Sequence, residues 1–189
     1  MKKLHSLITI IVVAIATLTV TSCDPDENMA YNLWGVWQGN MYMQSTYNGR
    51  TYQATYSVLA FDKDPYSYAQ GTGYWIDYYS NAPFDYYSSR IEWQVRNGEL
   101  RIYSIKEGRT YYIYNYEMGS RYFHGYINDS ESRNGAYFDL TKVTSYDWDD
   151  YDWNGYSYNS YYNNYGYNYA PARAASVGNS EPERSVKKN

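Results

Sequence analysis

An all-β fold is predicted: antiparallel strands that run up and down as a meander and close into a barrel of about eight strands. Three features of residues 32–143 predict it. Short stretches of alternating apolar and polar residues recur, as where Ile91, Trp93 and Val95 alternate with Glu92, Gln94 and Arg96. Turn signals separate them, among them Asn48-Gly49 and Asn97-Gly98, the dipeptide favoured where a type I′ hairpin turn needs positive φ at both central residues. No sustained helical period runs through the region.

Taken in order, residues 32–44 (NLWGVWQGNMYMQ) give a first strand with Trp37, Met41 and Met43 on one face. After the Asn48-Gly49 turn, residues 51–61 form a second strand, ended by Asp62-Lys63-Asp64-Pro65. Residues 70–80 (QGTGYWIDYYS) form a third, with Gly71-Thr72-Gly73 marking a bend rather than a phosphate loop, since no helix follows. Residues 81–87 (NAPFDYY) are expected as a longer loop. Residues 89–104 are the clearest hairpin, two strands about Asn97-Gly98. Residues 109–118 and 121–129 make the next pair, joined near Gly119, and residues 135–143 end the series. Closure removes exposed strand edges, and a barrel of this size either fills itself with side chains or holds one small ligand. An open two-sheet sandwich is the alternative.

The motifs within these strands carry a resemblance. Leu33–Gly39 (LWGVWQG) holds Gly35 and Trp37 as a Gly-x-Trp opening, followed by a hairpin with Trp93, Val95, Asn97-Gly98 and Leu100. Residues 122–127 (YFHGYI) and a final 138–143 (FDLTKV) complete the pattern. Together they resemble small lipocalin-like β-meander lipoproteins of Bacteroidota. The resemblance implies a lipocalin-like barrel; its motifs are structural, and no ligand residues carry over from it.

The N-terminus points to an address. Lys2 and Lys3 precede an apolar run from Leu7 to Val20, long enough for a signal-peptide core and short of the roughly 20 residues that span a bilayer. Val20, Thr21 and Ser22 then place small residues before Cys23, the single cysteine of the chain. This resembles a bacterial lipobox, which implies a signal peptide over residues 1–22 and an acylated Cys23 as membrane anchor. With that thiol used, none remains for a disulfide, a zinc site or nucleophilic catalysis. Residues 23–31 are expected as a solvated acidic linker. Its Asp24, Asp26 and Glu27 resemble the export signal of surface lipoproteins, although in enteric bacteria an aspartate after the cysteine goes with inner-membrane retention. The outer membrane is the expected location, with exposure at the cell surface.

Composition narrows the function. Loss of Lys2 and Lys3 with residues 1–22 takes the net charge from −4 to −6. Lysine and arginine are scattered singly, so nucleic acid is not an expected partner. Tyrosine dominates, 29 residues against 4 phenylalanines, which suits strands apolar on one side and wet on the other, and supplies stacking surfaces for ligands. The candidate ligand-binding aromatics are Trp75, Tyr78 and Tyr79 on the third strand and Phe84, Tyr86 and Tyr87 in the following loop. Candidate partners are a glycan, a peptide or an envelope protein, bound without catalysis.

The competing reading is an envelope hydrolase built on a carboxylate pair. Asp77, Asp85, Glu92 and Asp139 are its candidates, and nothing in their spacing brings two together. His124 lacks a second histidine or thiol as partner and is expected at the surface. Asp150–Gly155 matches the first half of a calcium loop, but Tyr161 stands where the bidentate glutamate belongs. No cofactor and no metal site is expected. Residues 144–189, rich in Tyr, Asn, Gly and Ser, are expected to form a disordered tail, whose deletion would leave barrel unfolding nearly unchanged.

Overall fold

The computed structural model describes residues 24–129, 135–144, 156–158 and 181–187. A helix α1 (Pro25–Leu33) precedes twelve strands. These are β1 (Gly35–Asn40), β2 (Met43–Tyr47), β3 (Arg50–Gln53), β4 (Tyr56–Lys63), β5 (Gln70–Tyr78) and β6 (Phe84–Arg96). Then come β7 (Glu99–Ser104), β8 (Arg109–Met118), β9 (Tyr122–Asn128), β10 (Ala136–Val143), β11 (Tyr156–Tyr158) and β12 (Glu183–Val186).

Eight of these strands close on themselves. Antiparallel pairing runs β6-β5-β4-β1-β10-β9-β8-β7, and β7 returns to β6. The seam between the chain's first and last barrel strands is β1–β10, from Val36 opposite Val143 to Asn40 opposite Asp139. The closed meander is therefore present, and the sandwich is not. Strand parity sends Trp37, Leu59, Phe61, Trp75, Ile91, Trp93, Phe123 and Phe138 into one core, all essentially buried. Both Asn-Gly turns have positive φ at each central residue, 49° and 73° at Asn48-Gly49 and 53° and 72° at Asn97-Gly98, as the hairpin twist requires.

Four expectations change. The first two expected strands each break, at Met41-Tyr42 and at Ala54-Thr55, because the barrel strand turns a corner at each point; Tyr42 takes a positive φ of 52° there. The freed halves, β2 and β3, form a separate hairpin that packs over one end of the barrel. Tyr47 and Tyr52 set their rings edge-on to Phe84 at 5.8 and 6.1 Å.

Phe84, Tyr86 and Tyr87 belong to a strand, not a loop. The 13-residue β6 starts at Phe84, and Tyr86 and Tyr87 already pair with Tyr78 and Asp77 of β5.

Residues 25–31 of the acidic linker are helical. Asp24 caps the helix by accepting from the Asp26 N–H at 3.0 Å, Pro25 occupies the first turn, and Asp26 and Glu27 face the positive end of the helix dipole. Met29, Ala30 and Leu33 bury against the barrel end opposite the β2–β3 hairpin. The Asp26 carboxylate also accepts from the backbone N–H groups of Asn97 and Gly98, at 2.7 and 2.8 Å, pinning the helix to the β6–β7 turn. Asp26→Ala should lower stability by about 1–2 kcal/mol, since this turn stays wet and water replaces part of the loss. A shift in the urea midpoint with unchanged slope would register it; no shift would mean that the helix is held by its apolar face alone.

The fourth change concerns the tail. Tyr156–Tyr158 pairs with the upper edge of β6, which β7 leaves free, and Glu183–Val186 pairs with β2 from Glu183 opposite Thr46 to Val186 opposite Met43. For these two segments the expectation of disorder does not hold. Residues 1–23, with the Val20-Thr21-Ser22-Cys23 motif, and residues 150–155 of the half calcium loop lie outside the described residues.

Candidate functional site

The chemistry of the barrel interior gathers where β5, β6 and the β7–β8 turn meet β12. On β5, Trp75, Asp77 and Tyr79 share the inward parity, so a carboxylate enters the core between two aromatic rings. Asp77 is fully buried. Its Oδ1 accepts from Ser57 Oγ at 2.5 Å and from Trp75 Nε1 at 2.9 Å, and its Oδ2 accepts from Arg184 Nε at 2.5 Å. A buried carboxylate is costly unless paired, and this one is paired on both oxygens.

Arg184 is the partner that composition conceals. Fully buried, it comes from β12, 107 residues along the chain from Asp77. Its Nη1 lies 3.0 Å from Glu107 Oε1, an ion-pair contact without hydrogen-bond alignment. Nη2 donates to the Tyr87 carbonyl at 3.2 Å and reaches the Trp75 carbonyl at 3.5 Å. The guanidinium also stacks on aromatic faces, its Cζ 4.2 Å from the Trp75 ring centre and 4.7 Å from that of Tyr87. Glu107 receives a second tie from the Tyr111 hydroxyl at 2.6 Å. One cation thus faces two carboxylates inside a ring of aromatics.

The electrostatics follow from that ratio. Burial would lower the Arg184 pKa, but the charges of Asp77 and Glu107 outweigh it and hold the guanidinium charged. Burial pushes the Asp77 carboxyl up from its ordinary value, against the pull of Arg184, Ser57 and Trp75. Burial and then the Glu107 charge raise the phenols of Tyr87 and Tyr111, so both stay protonated.

Of the six candidate aromatics, four are core. Trp75, Tyr79, Phe84 and Tyr87 are buried, Phe84 among Tyr47, Tyr52 and Tyr79. Two of the four, Trp75 and Tyr87, do contact a ligand-like group, but it is the chain's own arginine. Tyr78 and Tyr86 face outward, where Tyr78 stacks on Tyr56 at 4.4 Å and lies 6.3 Å from Tyr86. The four candidate carboxylates do not meet: Asp77 faces inward, while Glu92 and Asp139 are exposed on the outer wall and Asp85 is half-buried.

His124 lies partly exposed on the outer wall with its Nε2 3.4 Å from Glu117. It joins an aromatic ladder in which Tyr122, His124, Tyr137, Tyr126 and Tyr114 follow one another at 5.5, 6.2, 5.7 and 6.1 Å. A separate open groove of about 780 Å³ runs over the outer wall between Pro65-Tyr66 and the outward residues Gln94, Arg101 and Tyr103.

Sequence reasoning missed Glu107, Tyr111, Ser57 and Arg184. The usable signal was parity. If Trp75 faces inward then Asp77 must as well, and an inward acid needs hydrogen-bond donors, a proton or a buried cation to offset its burial. Comparison with protein-family models, curated proteins and solved structures finds no match to this chain.

Proposed function

We propose that this chain is a lipid-anchored lipoprotein of the cell envelope, attached at the outer membrane through an acylated Cys23, and that its barrel is a non-catalytic binding or interaction module. The observation that carries the anchor is Val20-Thr21-Ser22-Cys23 at the end of the apolar run from Leu7. The helix that Asp24 caps follows Cys23 in the chain and packs on the barrel end, so an anchor at that cysteine would hold the barrel close to the membrane.

The binding reading draws on the chemistry of the interior. Asp77 and Glu107 are committed to Arg184 and enclosed by Trp75, Tyr87 and Tyr111, an arrangement suited to holding a cation rather than activating water. A carboxylate-pair hydrolase is the second reading, favoured by the convergence of those same two acids on one guanidinium. It needs an open cleft and a proton exchanged with solvent, and would require Arg184 to leave.

Cys23→Ser tests the anchor. Cells fed labelled palmitate should incorporate label into the wild-type protein and none into the variant, which should also keep its signal segment. Label in the serine variant at the wild-type level would end the lipoprotein reading.

A further inference from the structure

The contacts around Arg184 have the form of a receptor and its ligand. Glu183–Val186 adds as an outer strand to β2 by backbone pairing, while one side chain, Arg184, enters the barrel. Strand addition supplies affinity and a side-chain pocket supplies selectivity, the usual division in peptide recognition. Around the pocket mouth, Arg109 donates to the Arg184 carbonyl at 3.4 Å and to Glu183 Oε1 at 3.1 Å, so it holds the strand at the inserted arginine and the residue before it. Pro182 and Val186 are buried with it. Asp77 of β5 and Glu107 of the β7–β8 turn both pair with the strand's Arg184, and among the described residues no cation of the barrel touches Asp77.

We propose that the barrel interior is a binding site for an extended peptide strand bearing one arginine, and that Glu183–Val186 is the resident occupant of that site. The proposal rests on the binding-module reading and gives it a ligand class. Selectivity for arginine over lysine follows from geometry. The planar guanidinium meets Asp77 through Nε, Glu107 through Nη1 and two carbonyls through Nη2, while lying on two rings. A single ammonium group cannot reach all of these at once.

The test uses the whole chain with a protease site inserted between residues 160 and 178, cut after folding so that both pieces remain. A fluorescent peptide of residues 179–189 is added at a temperature well below unfolding, and its retention on the nicked protein is followed by anisotropy while circular dichroism reports the fold. The peptide should exchange into the site and displace the resident fragment. The R184K peptide should bind distinctly more weakly, and the R184A peptide more than about a hundredfold more weakly. Three results overturn the proposal: no exchange over days with the barrel folded, loss of the barrel's fold when the fragment leaves, or equal competition by the R184A peptide. None of them touches the Cys23 anchor, which the palmitate experiment decides separately.

Discussion

Arg184→Ala should destabilise the protein by about 3–5 kcal/mol, the cost of stranding buried charge when one member of an ion cluster is removed. In a domain of this size that corresponds to a melting temperature lower by roughly 10 °C. The variant keeps Asp77 and Glu107 facing one another among Trp75, Tyr87 and Tyr111, with the cation between them gone. Its pH dependence should be diagnostic. The Asp77 carboxyl already stands above its ordinary value through burial, and Arg184 is the largest influence holding it down. Without the guanidinium it rises further, so the folded state binds a proton more tightly than the unfolded chain. Stability linked to such a group is complete below the unfolded value near 3.8 and is lost as pH climbs through the folded one. The deficit of Arg184→Ala relative to wild type should therefore be smallest near pH 4 and grow toward pH 7. Calorimetric melts across that range check it. A deficit that stays constant with pH would mean that the loss is packing alone, and a deficit near zero would mean that β12 is an ornament on the barrel.

Trp37→Ala should cost a comparable amount, about 3–5 kcal/mol, for a different reason. Trp37 is fully buried where β1 begins, its Nε1 donates to the Leu33 carbonyl at 2.7 Å, and Phe123 meets it edge-on at 5.6 Å. The Lys142 ammonium lies 5.0 Å from the ring centre and donates to the Asn32 carbonyl at 3.1 Å. One indole thus joins the end of α1, the first barrel strand and the last. Gly35, two residues earlier, has φ +117°, and a Cβ there would meet the Lys142 side chain at 2.8 Å, so the glycine and the tryptophan serve the same closure. Trp37→Phe keeps most of the volume and loses the N–H, and should fall by only about 1–2 kcal/mol. Urea unfolding that ranks alanine and phenylalanine equally would contradict the packing account.

How much of this was legible beforehand depends on the range of the interaction. Hairpin turns, strand parity and the meander order are local properties, and Asn48-Gly49, Asn97-Gly98 and the Ile91-Trp93-Val95 alternation declared them. The helix after Cys23 was also local, written in Asp24-Pro25-Asp26-Glu27 as cap and first turn, but the acids read equally well as solvated linker until Asn97 and Gly98 were seen to use Asp26. The corners at Tyr42 and Thr55 had no signal, because each interrupts a run whose apolar residues remain buried on both sides of the break. Arg184 was invisible for a stronger reason. A four-residue strand inside a polar tail has too short a period to recognise, and its value comes from acids 77 and 107 residues away in sequence. The aromatics of β5 and β6 draw notice by their number, yet four of the six candidates are core, and Trp75 and Tyr87 lie against an arginine of the same chain.

The position of Arg184 also orders events in time. Synthesis runs from the N-terminus, so every strand of the barrel exists before the residue that neutralises its interior has been made. Until then the nascent barrel carries Asp77 and Glu107 with no guanidinium between them, and it must keep that region hydrated or protonated. Closing a loop of 107 residues is slow beside forming hairpins. The dry, balanced interior is thus a late product of folding, and a chain broken off between Val143 and Arg184 would hold every strand of the barrel wall without the cation that balances its core.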